Sequence, residues 1–571
     1  MMMQHNKALI VQSDLTILLD EAVESSHIVH RIINTFAESY KRVGTLHTYR
    51  VTSLTFWNAL SMGQTCRQIV EQLTKHARYG VPLQAIAKLH AWSNRYGKLK
   101  LVAEGDNLIL NGDQDVLLQL GRYPSLNEWI RERTSSNQWE LKPECRGLFK
   151  QELGKLGYPV IDWAGYHEGE TLTVHFRSET TKGRSFSLRK YQKEAVDQFV
   201  QEGSVSGGSG VIVLPCGTGK TIVGIAALVK LGRATLILTS SITSAQQWRD
   251  ELLDKTTLTE AEVGLHKGKS SEVRPVTIAT YQLLTHRKSK EMGFKHMGLF
   301  SERDWGLIIY DEVHLLPAPV FRMTASIQAT RRLGLTATLI REDGCAEDVY
   351  SLIGPKQYDM EWKCAEEDRY ISSVSCTEIR VALSTSQEQN YMEASSRSKL
   401  RIASENKNKL EVVRELLKKH SGKPTLIIGQ YLQQLHEVAS YLNVPLLTGE
   451  VPQEERVRLY EQFKSGESAV LVVSKVANLA VDLPDAAVAI QLSGSFGSRQ
   501  EEAQRIGRLL RPKSGNNEAW FYTLVTEGTK ETEFALKRQL FMLEQGYTYE
   551  HLVATMDKKD GSWVCEEATL R

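Results

Sequence analysis

Twice along this chain, short apolar runs alternate with helical patterns, and no other feature narrows the fold as far. The first series holds "GVIVLP" (210–215), "KTIVGIAALVKL", "TLILTS" (235–240), "VTIAT" (276–280), "LIIYDE" (307–312) and "LGLTAT" (333–338). Strand and helix taking turns predict a parallel sheet covered on both faces, because each crossover between parallel strands carries a helix that buries the sheet. The rhythm restarts after residue 424 with "TLIIG", "QQLHEVASYL", "PLLTG", "QEERVRLYEQF", "AVLVVS", "AVAIQLS", "RQEEAQRIGRLL" and "AWFYTLV". The expectation is an α/β chain with two similar parallel-sheet lobes, residues 184–355 and 424–550.

A chain of 571 residues has room for further domains. Residues 1–120 read as mainly helical, with "CRQIVEQLTKHA" and "PLQAIAKLHAWSNRYG" amphipathic and "KLKLVAEGDNLILNG" a hairpin, a pattern that suggests a winged-helix-like module. Such modules bind nucleic acid or protein partners. Residues 121–183 form a small α/β segment, helix then strand in "RGLFKQELGKLGYPVIDWAGYHEGETLTVHF". Residues 356–423 are polar and connect the lobes, with a helix in "SQEQNYMEASSRSKLRIA" that is either a DNA-touching projection or a solvated connector. Residues 551–571 are a tail. "GSVSGGSG" (203–210) has linker composition, yet it lies between a helix and the strand that leads to the phosphate loop described below, so it reads as an internal loop.

Lys plus Arg (70) nearly cancels Asp plus Glu (68), so any polyanion surface must be a local basic track. The seven cysteines are scattered without a C-x-x-C pair, which argues for reduced thiols rather than zinc or a redox pair. The first residues are too polar for a signal peptide, and no run of about 18 apolar residues occurs. The expected location is the cytoplasm, at the nucleoid, with no membrane partner.

"LPCGTGKT" (214–221) sits between an apolar strand and a helix, the context of a phosphate-binding loop. Gly217 and Gly219, flanking Thr218, let backbone N–H groups turn inward around phosphate oxygens, and the helix start adds its positive dipole. Lys220 is placed to reach the β and γ phosphates, and the Thr221 hydroxyl to ligate magnesium. The strict pattern G-x-x-x-x-G-K-[ST] has glycine where this chain has Leu214. In "IIYDEVHLLPAPVFR" (308–322), Asp311 and Glu312 end a neighbouring strand. Asp311 would hold magnesium and Glu312 would act as general base on the attacking water. Adjacent strand residues point to opposite faces, so each acid would address a different ligand. A solvated strand end is the bland alternative. A zinc site at Glu312 and His314 lacks the H-E-x-x-H helix it would need. In "EEAQRIGRLLRP" (501–512), Gln504, Arg508 and Arg511 fall four and three apart, on one helix face. They read either as charge-neutralising fingers from the second lobe or as a surface salt-bridge helix. Together the three elements imply ATP and Mg²⁺ in a cleft whose closure moves one lobe against the other.

"LRKYQKEAV" (188–196), "LPCGTGKT", "DEVHLLPAPVFR", "LGLTATLIREDG" (333–344), "LIGPK" (352–356), "SKVANLAVDLPDAAVAIQLS" (474–493) and "GSRQEEAQRIGRLLRP" resemble the xeroderma pigmentosum group B (XPB) family of superfamily 2 DNA helicases. "LIVQSD", "HTYRVTSLTFWNA" and "RYGVP" resemble its bacterial forms, and the segment from Arg146 to Tyr166 is similar to the damage-recognition-like region before the ATPase core. The resemblance implies two RecA-like lobes, ATP-driven 3′ to 5′ movement on DNA and strand opening in nucleotide excision repair. It places Arg189, Gln192 and Asp482 at the nucleotide, with Gln192 on adenine. It gives Thr336 and Thr338 a coupling role, and Arg341, Glu342 and Asp343 a part in duplex opening. The helix near 385–400 would be a reduced thumb. Ala477 and Asn478 stand where the family often has Gly-Asp. Archaeal and some bacterial relatives work with a nuclease partner. Thr239, Ser240, Thr280 and Ser474, at strand ends, are expected to contact DNA phosphates without reading sequence, and Lys475 to add salt dependence. Base-pair separation costs about 1.4 kcal/mol per step in stacking, so one nucleotide per ATP suffices. Two other readings stay open: an ATP-gated duplex clamp that recruits a nuclease, and an RNA-dependent ATPase.

Overall fold

A computed structural model describes residues 7–23, 26–43, 45–105, 107–201, 207–266, 273–286, 296–317, 320, 323–324, 327, 330–337, 346–474, 486–494, 506–507, 509, 517–545, 547–556 and 563–567. The chain divides into two compact units, residues 1–214 with 219–360, and residues 215–218 with 361–571. No described helix is long and apolar enough to cross a membrane.

The first unit opens with strands β1 (Leu9–Val11), β2 (Thr16–Asp20), β3 (Glu38–Val43) and β4 (Leu46–Arg50), antiparallel in the order β1-β2-β4-β3. Helices α1 (Ser26–Asn34), α2 (Ser53–Ser61), α3 (Cys66–His76) and α4 (Leu83–Arg95) accompany them. Ile17 and Leu19 alternate into a core shared with Val29, Phe56, Ile69 and Leu89. Capping boxes start α2 at Thr52 with Thr55 and α3 at Thr65 with Gln68. The mainly helical, winged-helix-like expectation for residues 1–120 misses this sheet. Its strands are short and partly polar, "ESYKRV" in β3 above all, and give little period-2 signal.

The hairpin forms as read, β5 (Leu99–Glu104) against β6 (Asn107–Gly112). It is not a wing of the module before it. β5 pairs in parallel with β9 (Val160–Trp163), and β6 pairs antiparallel with β8 (Gln138–Leu141), in the order β7-β8-β6-β5-β9 with β7 at Ile130–Ser135. The second module therefore begins near residue 97 rather than 121. Helices α5 (Gln114–Leu120), α6 (Pro124–Asn127) and α7 (Arg146–Lys155) complete it.

A buried ion cluster joins α7 to β9. The Arg146 guanidinium donates to Asp162 Oδ1 at 2.7 Å and Oδ2 at 3.0 Å, and Lys150 Nζ to Oδ2 at 2.7 Å. Burial alone would raise the Asp162 carboxyl, but Lys150 and Arg146 outweigh it and hold the group well below the usual carboxylate range. Asp162→Asn leaves two buried cations without their counterion and is expected to cost about 3–5 kcal/mol in urea unfolding of the intact chain. The folded carboxyl titrates below its unfolded value of about 3.9, so the contribution is complete above that pH and fades as pH falls below it. A wild-type-like midpoint for Asp162→Asn at pH 7 would show the cluster to be neutral.

The remainder of the first unit is the predicted parallel lobe. Its strands are β10 (Ser209–Val213), β11 (Thr235–Thr239), β12 (Val263–Leu265), β13 (Val276–Thr280), β14 (Leu307–Asp311), β15 (Arg331–Thr336) and β16 (Lys356–Asp359). They run parallel in the order β12-β13-β11-β14-β15-β10-β16. Helices α8 (Lys190–Val200), α9 (Lys220–Leu231), α10 (Ile242–Lys255), α11 (Tyr281–Thr285) and α12 (Ala346–Leu352) belong to it. Every residue of β10, β11, β13 and β14 is buried, as expected of strands covered on both faces. Residues 203–206 of the glycine-serine stretch lie outside the described residues, while Ser209 and Gly210 already belong to β10.

The second unit holds α13 (Trp362–Glu367), β17 (Ser373–Val381), α14 (Thr385–Glu393), α15 (Ser396–Ser404), α16 (Asn408–Lys419), β18 (Thr425–Gly429), α17 (Leu432–Leu442), β19 (Leu446–Leu447), α18 (Gln453–Ser465), β20 (Val470–Ser474), β21 (Val488–Gln491), β22 (Glu518–Thr526), α19 (Lys530–Glu544), β23 (Tyr549–Met556) and β24 (Trp563–Glu567). The sheet order is β19-β20-β18-β21-β22-β17-β23-β24, parallel except for β24. Two boundaries differ from the expected ones. The connecting segment 356–423 supplies β16 to the first sheet and the internal strand β17 to the second, and the 551–571 tail supplies β23 and β24 residues. β17 is not a continuous apolar run, because it carries Glu378, buried and satisfied by Gln539 Nε2 at 2.6 Å and Arg380 Nε at 3.1 Å. The single helix read over 386–403 is two, α14 and α15, divided where Ser395 caps the second by accepting from Ser398 N.

Candidate nucleotide site

The phosphate loop leaves β10 as a continuation of the sheet. Leu214 N donates to the Thr336 carbonyl at 3.0 Å and its side chain is fully buried, so the position that the strict pattern gives to glycine is here an extended, packed residue. Glycine is needed later. Gly217 and Gly219 have φ of 84° and 83°, in the left-handed region where a side chain is strained. The Gln192 side-chain nitrogen lies 3.1 Å from where a Cβ on Gly219 would stand. Thr218 turns inward, its hydroxyl donating to the Pro215 carbonyl at 2.7 Å. Lys220 begins α9 directly behind Gly219, and Thr221 follows, half-buried, its hydroxyl without a hydrogen-bond partner among the described residues.

The two acids part company at the end of β14. Asp311 is the last strand residue, opposite Leu335 of β15. Glu312 has already left the strand, at φ 51°. The expectation that they diverge by strand alternation is therefore corrected: a left-handed turn separates them. Asp311 is buried, and its Oδ2 accepts from Trp248 Nε1 at 2.9 Å and from the Ser244 hydroxyl at 3.1 Å. Its main-chain carbonyl accepts from the Tyr281 hydroxyl at 2.8 Å. Burial, and then Glu312, raise the Asp311 carboxyl above its ordinary value, while Trp248, Lys220 and Ser244 pull it back. The Glu312 side chain is more open, with Oε1 3.8 Å from Lys220 Nζ and Oε2 3.5 Å from His314 Nδ1. His314 Nδ1 also lies 2.7 Å from the Thr336 hydroxyl, which ties this turn to the end of β15.

One acid is thus sequestered and oriented while the other faces a lysine. Among the described residues no cluster of three or more His, Cys, Asp or Glu could hold a metal alone. The donor set of Thr221 and Asp311, with Asp311 Oδ1 free of partners among the described residues, fits an ion that keeps most of its ligands from water and phosphate, as magnesium does. A separate cavity of about 210 Å³, lined by Trp57, Tyr96, Lys150 and Tyr350, contains none of these residues.

The other expected residues divide. Arg189 caps α8, its N–H donating to Gln192 Oε1 at 2.9 Å. The strand-end hydroxyls face inward more than their position suggested: Thr239 is buried and donates to the Ser241 carbonyl at 3.1 Å, Thr280 caps α11, and Ser474 is buried. Only Ser240 of that group is half-exposed, so the hydroxyls of Thr239, Thr280 and Ser474 do not present themselves to a phosphate. Thr338, Arg341, Glu342, Asp343, Lys475, Asp482, Gln504, Arg508 and Arg511 lie outside the described residues. Sequence reading passed over Ser244, Trp248 and Tyr281, and weighed His314 only as a zinc ligand. The first two had a legible signal, a four-residue spacing on one face of an evident helix.

Residues 365–568 match the family model described as ERCC3/RAD25/XPB C-terminal helicase, residues 9–135 the helicase conserved C-terminal domain, and residues 185–341 the type III restriction enzyme res subunit. The "DNA 3'-5' helicase XPB" of Kineococcus radiotolerans is 47% identical, over 97% of this chain and 97% of that protein. The protein of the same name from Mycobacterium tuberculosis is 47% identical over 95% of this chain and 97% of its own length. The "General transcription and DNA repair factor IIH helicase/translocase subunit XPB" of Enterocytozoon bieneusi is 30% identical, over 96% of this chain and 93% of its own.

Proposed function

Because this chain belongs to the XPB family of superfamily 2 DNA helicases, in its bacterial form, we propose that the acids ending β14 divide the work of ATP hydrolysis. The chain is an ATP-dependent DNA helicase of a family that serves DNA repair, and movement runs 3′ to 5′ as in the relatives so named. The observation that carries the residue assignment is the split at residues 311 and 312, one carboxylate buried under two donors and the other 3.8 Å from Lys220.

Gly217, Thr218 and Gly219 present backbone N–H groups to the phosphates, and Lys220 sets its cation against the β and γ oxygens. Arg189 and Gln192 hold the adenine end. Thr221 and Asp311 are the residues that would hold magnesium, which when bound neutralises phosphoryl charge. Glu312 accepts the proton of the attacking water from its place 3.8 Å from the Lys220 ammonium. Asp482, Gln504, Arg508 and Arg511 are the candidates of the later motifs for acting on the same nucleotide. The His314 to Thr336 contact ties this turn to the end of β15, and Thr338, Arg341, Glu342 and Asp343, next in sequence, are the candidates for coupling hydrolysis to duplex opening. Ser240, Lys475 and backbone N–H groups at the strand ends grip phosphates, so affinity falls with salt.

ATP turnover measured with single-stranded, duplex, forked and bubble DNA and with RNA tests this reading, alongside strand release from 3′-tailed and 5′-tailed duplexes. DNA is expected to stimulate turnover more than RNA, with release from the 3′-tailed substrate. Turnover without released strand would replace the helicase by a duplex clamp that recruits a nuclease. RNA stimulation equal to that by DNA would replace it by an RNA-dependent ATPase.

A further inference from the structure

Asp311 does not orient itself. Its carboxylate is buried at the carboxyl edge of the first sheet, and a buried carboxylate must find donors or lose its charge. Both side-chain donors come from one helix. Ser244 and Trp248 are four residues apart on α10, hence on one face, and both donate to the same oxygen, Oδ2, at 3.1 and 2.9 Å. Rotation of the carboxylate about its Cβ–Cγ bond would break both bonds at once. Oδ1 is left without a partner among the described residues.

The stronger donor is itself immobilised. Trp248 is fully buried, and a Cβ placed on Gly224 of α9, the helix that Lys220 begins, would lie 2.4 Å from its Cη2 and 3.0 Å from Leu335 Cδ1. The absence of a side chain at residue 224 is therefore what lets the indole lie between α9 and Asp311. The ring is wedged so that its N–H has one direction to point.

We infer that Trp248, supported by Ser244, is a positioning residue that locks Asp311 through Oδ2 and so reserves Oδ1 for the divalent cation. The inference rests on the reading of Asp311 given above. Neither side chain is assigned a contact with nucleotide or cation. Their effect is on how readily the metal is accepted, because a carboxylate already held in one orientation loses little freedom on binding.

The test uses the full chain and the anisotropy of methylanthraniloyl-ATP, excited directly in its own band so that loss of a tryptophan does not disturb the signal. Mg²⁺ is titrated at fixed nucleotide. Trp248→Phe keeps the ring and removes the N–H; its Mg²⁺ half-saturation is expected to rise about tenfold, the weight of a hydrogen bond to a charged group, with nucleotide affinity restored at saturating Mg²⁺. Ser244→Ala is expected to move in the same direction by a smaller factor, and Ser244→Thr, which keeps the hydroxyl, to stay near wild type. A purely structural role would lower thermal stability and leave the Mg²⁺ titration in place. A Trp248→Phe titration that overlays the wild type overturns the inference. Should Trp248→Phe fail to fold, the Ser244 pair decides: indistinguishable Ala and Thr variants overturn it, and a shift in Ala alone supports it. Absence of Mg²⁺-dependent nucleotide binding by the wild type would sink the nucleotide site itself, a separate failure.

Discussion

Lys220→Ala is expected to abolish DNA-stimulated ATP hydrolysis while leaving the chain folded. The ammonium sits at the first position of α9, behind two glycines in the left-handed conformation, with Glu312 its described carboxylate neighbour at 3.8 Å. Removing a preorganised donor from a transition state costs on the order of 10²–10³ in rate, and here the lost group also binds the ground state. The fall should therefore be about 10³-fold or more in kcat/KM, with weaker nucleotide binding. Alanine favours helix, so the melting temperature should change little. Phosphate release in the presence of duplex DNA measures the first effect and thermal unfolding the second. Undiminished turnover would remove the nucleotide assignment and with it the motor.

Glu312→Gln separates binding from chemistry. The amide has the size of the acid and stays at the same left-handed turn, but it cannot take a proton from water. Hydrolysis is expected to drop by about 10²–10⁴, the usual weight of a general base, while Mg²⁺-dependent nucleotide binding survives or tightens. Tightening follows from the geometry. Glu312 Oε1 is 3.8 Å from Lys220 Nζ, so neutralising it releases that cation to the phosphates. Single-turnover phosphate release beside nucleotide anisotropy resolves the two effects. Wild-type turnover in this variant would move the base elsewhere, and loss of binding equal to that of Lys220→Ala would make Glu312 a structural partner of the lysine. The contrast with Asp311 is instructive. That acid is held by Trp248 and Ser244 rather than by the lysine, so its loss should weaken metal binding first and turnover as a consequence.

Some of this was legible in the linear chain, and for identifiable reasons. Strands buried on both faces must be apolar throughout, so β10, β11, β13, β14, β18 and β20 announced themselves, and their alternation with helices left a parallel sheet as the outcome. A phosphate loop needs glycine at positions fixed by backbone geometry, which is why Gly217 and Gly219 could be singled out with Lys220. Elements whose burial depends on paired charge gave no such signal. β17 hides Glu378 beneath Arg380 and Gln539, and α7 with β9 hides Asp162 between Arg146 and Lys150. Their polar residues pass for surface until the partner is known.

What the sequence determined by itself was a set of local commitments: which apolar runs become strands covered on both faces, where the loop turns, and which acids end β14. What only the tertiary structure decided was the environment of those acids. Trp248 and Ser244 lie more than sixty positions from Asp311, and their approach depends on how α10 packs over the sheet and on the space left by Gly224. Side-chain periodicity is a property of neighbours along the chain, whereas the field at a carboxylate is set by whatever the fold brings beside it.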